Sequence, residues 1–202
     1  MKNPRKISHP LALAVLVLLF EKAMHPYEMA ATLKQRGKER SIKLRYGSLY
    51  TVIGQLEREG FIEAAGTERD GGRPERTTYR ITDAGETEMS SWLRALLAEP
   101  VKEYPQFEAA LSLLPALPPQ DVQALLTKRL ERLDEHERRI QAEIEGAAAI
   151  NLPALFLIES EYALALLRAE RTYVEGLIHG IETAELGGIE QWRQWHASRT
   201  KH

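Results

Sequence analysis

Cysteine is absent from the 202 residues. That excludes a disulfide framework, a thiolate zinc site and a cysteine nucleophile, and it suits a reducing cytosol. Long apolar runs are also missing. The longest, Leu11 to Phe20, has ten residues, where a bilayer span needs roughly 20. It follows Met-Lys-Asn-Pro-Arg-Lys, a layout shared with signal peptides. No small-x-small cleavage site comes directly after it, because the chain continues Glu21-Lys22-Ala23-Met24-His25-Pro26. The run reads as a helix buried in a small domain, and the expected location is the cytoplasm. An overall charge of one sign is lacking too, since the formal net charge is only -2.

That small net charge hides an asymmetry. Residues 1–85 carry 15 Lys and Arg against 10 Asp and Glu, whereas residues 86–202 carry 12 against 19. A basic first part and an acidic second part point to two units with different partners. With 44% hydrophobic and 28% charged residues, the chain can form a core.

Pro10 to about Lys22 reads as an apolar helix with Pro10 in its first turn. Pro26 begins a second, reaching about Arg36, with Met29, Ala30 and Leu33 at helical spacing and Gly37 as a stop. Between Lys34 and Arg45 lie six basic residues and one acid, Glu39. A third helix is expected from Tyr46 to Gly60, with Leu49, Val52, Ile53 and Leu56 on one face. The period then changes. Phe61 to Thr67 and Arg76 to Thr82 read as paired strands around the turn Arg69-Asp70-Gly71-Gly72-Arg73-Pro74. Asp83 followed by Glu86 reads as a capping box opening a fourth helix that runs to about Ala98.

The expected fold class is therefore mainly α with a small β-hairpin. Three helices, a hairpin with a basic tip and a fourth helix make a winged helix-turn-helix over 1–98. A proline-rich connector follows at 99–120, enclosing a short apolar helix from Phe107 to Leu114. Residues 121–202 form a helical domain. Its first long helix, Asp121 to about Ile150, carries Val122, Leu126, Leu130, Leu133, Ile140 and Ile144 at coiled-coil spacing. Asn151-Leu152-Pro153 ends it. A second runs from Ala154 to about Leu186, with Leu155, Ile158, Tyr162, Leu166, Ala169, Tyr173, Leu177 and Ile181 at steps of three or four. Gly187-Gly188 closes that helix, and a tail with Trp192 and Trp195 follows. Stripes this long need more surface than one small head provides. An antiparallel helix pair that meets a second copy is expected, an intramolecular bundle being the alternative.

At about 100° per residue, the third helix turns Gly47, Thr51, Gly54, Gln55 and Arg58 away from its apolar face, with Ser48 and Tyr50 at the flanks. That outward face suits a major groove: Gln55 for an adenine edge, Thr51 for a thymine methyl or a phosphate, Arg58 for guanine or a phosphate. Tyr27 and Tyr50 carry hydroxyls suited to phosphate oxygens, and Lys43 and Arg45 supply phosphate charge. Arg73, supported by Arg69 and Arg76, suits a minor groove. The competing readings are solvated side chains, core tyrosines with an exposed hydroxyl, and an ordinary charged turn.

Three segments carry a family resemblance. Tyr46-Gly47-Ser48-Leu49-Tyr50-x-x-Ile53-x-x-Leu56-x-x-x-Gly60-Phe61-Ile62 resembles the recognition helix of PadR-family transcriptional regulators. His25-Pro26-Tyr27-Glu28 resembles their His-Gly-Tyr-Glu turn, with Pro in place of Gly. Gly72-Arg73-Pro74-Glu75-Arg76-Thr77-x-Tyr79-x-Ile81-Thr82-x-x-Gly85 resembles their wing. The three stand in order over roughly 10–98. Arg45 departs from the pattern, which often has a Ser or Thr cap there, and places a charge for phosphate instead. The resemblance implies a homodimeric, sequence-specific DNA-binding regulator, a repressor of the ligand-responsive kind, acting on an inverted-repeat operator. It also implies a small hydrophobic or phenolic effector. Dimerisation is expected through Leu126, Leu130, Leu133, Ile140, Ile144, Leu155, Ile158, Tyr162, Leu166, Tyr173 and Leu177. Trp92, Tyr104, Phe107, Tyr162 and Trp192 are candidates for an aromatic pocket, although core packing is the plainer reading.

No enzyme is expected, and no cofactor or metal. The six histidines (9, 25, 136, 179, 196 and 202) form no metal-spaced pair, with His196 and His202 in a frayed tail. Carboxylates such as Glu131, Asp134 and Glu135 read as a solvated face, and Gly71-Gly72 precedes a strand rather than a helix, unlike a phosphate loop. Two rivals make distinct predictions. A winged-helix protein-interaction module without DNA binding would show no salt-dependent DNA affinity. A secreted protein or enzyme would be processed near Ala23.

Overall fold

The computed structural model describes residues 7–68 and 76–199. Two compact units divide at Lys102/Glu103. The described residues form eight α-helices and one two-stranded antiparallel sheet.

The first unit is built on α1 (Pro10–Glu21), whose Leu11, Val15, Leu16 and Leu18 are almost wholly buried. The apolar run Leu11 to Phe20 is thus the centre of a core, and only Phe20 at its end is exposed. Around it stand α2 (Pro26–Gln35) and α3 (Tyr46–Arg58), then β1 (Ile62–Glu68), β2 (Arg76–Ile81) and α4 (Asp83–Ala98). Pro10 and Pro26 each open a helix, where a missing N–H costs nothing. Histidines cap both: His9 Nδ1 accepts from Leu11 N and His25 Nδ1 from Glu28 N, each at 3.1 Å. Gly60, at φ 73°, stops α3. Phe61 N then donates back to Leu56 O at 2.9 Å, satisfying a terminal carbonyl.

The hairpin pairs Ile62 with Ile81 and Ala64 with Tyr79, with an irregularity between Ala64 and Gly66. Met24 adds a short third rung, its N–H and C=O both bonded to Tyr79. The base of the wing is therefore tied to the loop between α1 and α2. The cap of α4 differs from the expected one. Thr82, not Asp83, is the N-cap: its Oγ1 accepts from Gly85 N at 3.1 Å and donates to Gly60 O at 2.6 Å. Asp83 and Glu86 sit in the first turn, where their charge favours the helix dipole.

The second unit comprises α5 (Gln106–Ser112), α6 (Pro119–Ala149), α7 (Ile158–Glu182) and α8 (Ile189–Arg199). Much of the stretch read as a connector folds into this unit, because Phe107 and Leu114 pack against its core. Helices α6 and α7 run antiparallel. Gln123 bonds Glu182 at 2.7 Å, Arg129 bonds Glu170 at 2.6 Å, Arg168 bonds Glu137 at 2.7 Å and Arg171 meets Asp134 at 3.0 Å. Asp134 is therefore an inter-helix partner rather than part of a merely solvated face.

Two boundaries in this unit depart from expectation. Residues Ala154–Phe156 form a 3-10 turn, so α7 begins later, at Ile158. It also ends at Glu182, because Ala184 takes a left-handed conformation at φ 60°. The tail expected to fray is helix α8. Trp192 Nε1 donates to Leu117 O at 2.8 Å, and His196 Nε2 lies 3.0 Å from Pro115 O, pinning α8 to the segment before α6.

Candidate nucleic-acid interface

Helix α3 divides cleanly by burial. Leu49, Val52, Ile53 and Leu56 are buried, and Thr51, Glu57 and Arg58 are exposed. Gln55 and Ser48 are half-buried at the edges of the outward face. Gly47 and Gly54 lie on that face too, and a Cβ added at either would meet nothing within 4 Å. Internal packing thus has no need of glycine at either position, and Gly54 in mid-helix costs about 1 kcal/mol relative to alanine.

Two outward side chains are folded back along the helix. Thr51 Oγ1 donates to Gly47 O at 2.9 Å, and Arg58 Nε donates to Gly54 O at 3.0 Å. Neither bond has a partner beyond α3 itself, so both groups can exchange it for an external acceptor at little cost.

The approach to α3 is cationic and uncapped. Arg45 is the N-cap residue, extended at φ -130° and ψ 136°, and its side chain makes no cap bond. The first-turn N–H groups of Tyr46, Gly47 and Ser48 therefore receive no acceptor from it, and an uncapped helix start favours an anion. Lys43 and Arg45 are exposed and make no ion pair among the described residues. Arg36 differs: it binds Glu21 in a bidentate pair at 2.6 and 2.7 Å, which removes it from the free cations.

Tyrosines surround this face. Tyr27 on α2 and Tyr50 on α3 are each more than half exposed, so packing in the core does not account for them. Tyr46, equally exposed at the first position of α3, was not among the residues read from the sequence. Its signal was present, since it opens the Tyr-Gly step on which the helix starts. Tyr79, at the wing base, is half-buried. Burial first, then the Glu57 carboxylate and Tyr50, push its phenol up from the usual value, so it stays a neutral hydroxyl.

Arg69 and Arg73 lie outside the described residues, and of Arg76 only the backbone position, at the start of β2, is described. Of the five aromatic candidates, Phe107 and Trp192, the latter on α8, pack against the core of the second unit. Trp92 is in the core of the first unit, and Tyr104 and Tyr162 are largely exposed. Among the described residues no group of His, Asp and Glu is placed to hold a metal ion, and no helix is long and apolar enough to cross a membrane.

Known proteins align with this arrangement. The backbone superposes on Bacillus subtilis PadR in complex with operator DNA at a TM-score of 0.69, with 21% identity, covering 85% of this chain and 98% of that one. Bacillus subtilis PadR in complex with p-coumaric acid gives 0.68 at 20% identity over 85% and 98%. The protein smu.1604c of Streptococcus mutans UA159 gives 0.59 at 22% identity over 85% and 99%. At these identities the likeness establishes the winged-helix fold. Among curated proteins, none matches the sequence. Residues 15–91, which span α1 to the middle of α4, match the sequence model of the Transcriptional regulator PadR-like family. That family is one of transcription regulators, which is not a class of enzymes.

Proposed function

We propose that the chain is a homodimeric, sequence-specific DNA-binding repressor that reads the two halves of an inverted repeat. The observation that carries this reading is the outward face of α3. It is polar, holds two glycines that the protein's own packing does not need, and begins at an uncapped end beside Lys43 and Arg45. Gln55 and Arg58 would read base edges, and Thr51 a methyl or a phosphate. Tyr27, Tyr46 and Tyr50, with Lys43, Arg45 and the uncapped amides of Gly47 and Ser48, would hold phosphates and fix register. Arg69, Arg73 and Arg76 would follow the neighbouring minor groove.

Dimerisation is assigned to one stripe of α7. Ile158, Tyr162, Leu166 and Tyr173 are each more than half exposed and share a helix face, with Leu155 just before it. The opposite face buries Leu164, Val174 and Ile181 within the chain. Leu126 and Leu133 are likewise buried inside the unit, and Leu130 and Leu177 pack against its core. Ile140 and Ile144, half-buried toward the end of α6, would flank the dimer contact. Two heads held by such a contact would meet half-sites roughly 34–36 Å apart. An effector would act by binding one spacing of the heads better than another. The direct test selects duplexes from random sequence and measures their mobility shift across a salt series. An enriched inverted repeat, bound by two chains and weakened by salt, supports the reading. No enrichment and no salt dependence would leave the basic head to a protein partner.

A further inference from the structure

The second unit holds a cavity of about 560 Å³ that the proposed DNA face does not use. Its size falls within the roughly 300–1,000 Å³ of small-molecule sites. The walls are apolar, built from Phe107, Leu111, Leu114, Leu126, Leu133 and Leu167. Its α6 side is cationic. Lys128, Arg129, Arg132 and His136 follow one another along the helix and all line the cavity.

Glu170 is the sole carboxylate among the described lining residues, and it is already neutralised. Arg129 Nε donates to it at 2.6 Å, while the guanidinium lies 3.6 Å from the centre of the Phe107 ring. That pair closes one wall and cancels its own charge. Lys128 and Arg132 are left exposed, with no ion-pair partner among the described residues. Like charges four residues apart on a helix repel each other. Glu131 and Glu135 share the helix with them but lie outside the cavity lining and pair with neither, so the cavity combines an apolar body with two cations that are not held in ion pairs.

We infer that this cavity binds an amphipathic organic anion, a medium-chain carboxylate in type. The apolar body lies against Phe107 and the leucines, and the head group accepts hydrogen bonds from Lys128 and Arg132. A neutral hydrocarbon would leave the cations unanswered, and an inorganic anion would leave the apolar walls wet. The inference concerns binding alone and does not depend on whether the chain binds DNA.

Titration calorimetry of the full chain with decanoate and with decanol, each below its aggregation limit, tests it. The two share a body and differ in the head. Decanoate is expected to bind about tenfold more tightly, the sum of two partly exposed charge contacts. In the double variant Lys128→Glu/Arg132→Glu that preference should vanish, and the far-UV circular dichroism should stay unchanged because both side chains are exposed. Ala110→Trp, which fills the mouth from α5, should weaken both ligands together. Equal affinity for acid and alcohol, no heat with either, or a preference that survives the charge reversal would overturn the inference. So would decanoate binding seen only in a monomeric variant such as Leu166→Glu, since a second copy of the chain would then be the occupant.

Discussion

A Cβ placed on Gly85 would meet the carbonyl oxygen of Phe61 at 2.0 Å. The same oxygen accepts the Thr82 N–H at 3.0 Å, so it cannot turn away without losing a bond. This contact brings the first turn of α4 against the chain leaving α3, and sets how the hairpin stands beside α3. Gly85→Ala should therefore destabilise the first unit by about 1–3 kcal/mol, a cost typical of overpacking. Urea unfolding would show this as a lower midpoint at unchanged slope. An unshifted midpoint would mean that the backbone at Gly85 relaxes freely.

Gly54 should behave in the opposite way. Its Cβ direction is open, so Gly54→Ala should stabilise the fold by roughly 1 kcal/mol through helix propensity. If the α3 backbone approaches bases closely at this point, the same variant should bind DNA at least tenfold more weakly. Thermal melting and mobility shift on one preparation separate the two effects. A variant that is more stable and binds equally well would remove Gly54 from the interface.

Leu166→Glu should convert a dimer to a monomer without unfolding it, because Leu166 is exposed in the single chain. Sedimentation equilibrium reads the mass and circular dichroism the helix content. Leu126→Glu should instead lower helix content, since Leu126 is buried within the unit. Retention of the dimer in Leu166→Glu would move the interface off this stripe of α7.

The Glu21–Arg36 pair gives the first unit a small dependence on acid. The hydrogen bond from Arg36 holds the Glu21 carboxyl below its usual range. Between its folded and unfolded values the unfolded chain binds more protons, so stability rises with pH there and is lost as pH falls through the lowered value. Both side chains are about two-fifths exposed, so the contribution is roughly 0.5 kcal/mol or less. Glu21→Gln should cost that much at neutral pH and nothing in strong acid, as urea titrations at the two pH values would reveal.

Local patterns carried much of the fold. The proline starts of α1 and α2, the buried face of α3 and the Gly60 stop are all set by neighbours within a few residues, and each was legible in the sequence. Most of what escaped depended on distant contacts. The cap bond of Thr82 to Gly85 is local and was passed over for Asp83, but the second bond that holds the hydroxyl reaches Gly60, 22 residues earlier. Helix α8 looked like a tail because Trp192 finds its acceptor 75 residues away, at Leu117. The two long stripes posed a different difficulty. Steps of three and four residues are the same whether a seam closes within one chain or between two. Only packing separates Leu126 and Leu133, buried inside, from Tyr162 and Leu166, left outside. At the candidate interface the outward residues of α3 followed from helix geometry, but the folding-back of Thr51 and Arg58 did not.

In the proposed function, the basic head binds DNA through phosphates at the start of α3 and reads bases along its outward face. The most direct measurement is the dependence of DNA affinity on salt, in the parent chain, in Lys43→Ala and in Gln55→Ala, on a selected duplex and on a scrambled one. A log–log plot should fall linearly for the parent chain. Lys43→Ala should make the slope shallower by roughly 2 for a dimer that loses one phosphate contact per head, with equal loss on both duplexes. Gln55→Ala should leave the slope alone and cost about 1–3 kcal/mol on the selected duplex only. A flat salt plot for the parent chain, or an unchanged preference for the selected duplex in Gln55→Ala, would contradict the account.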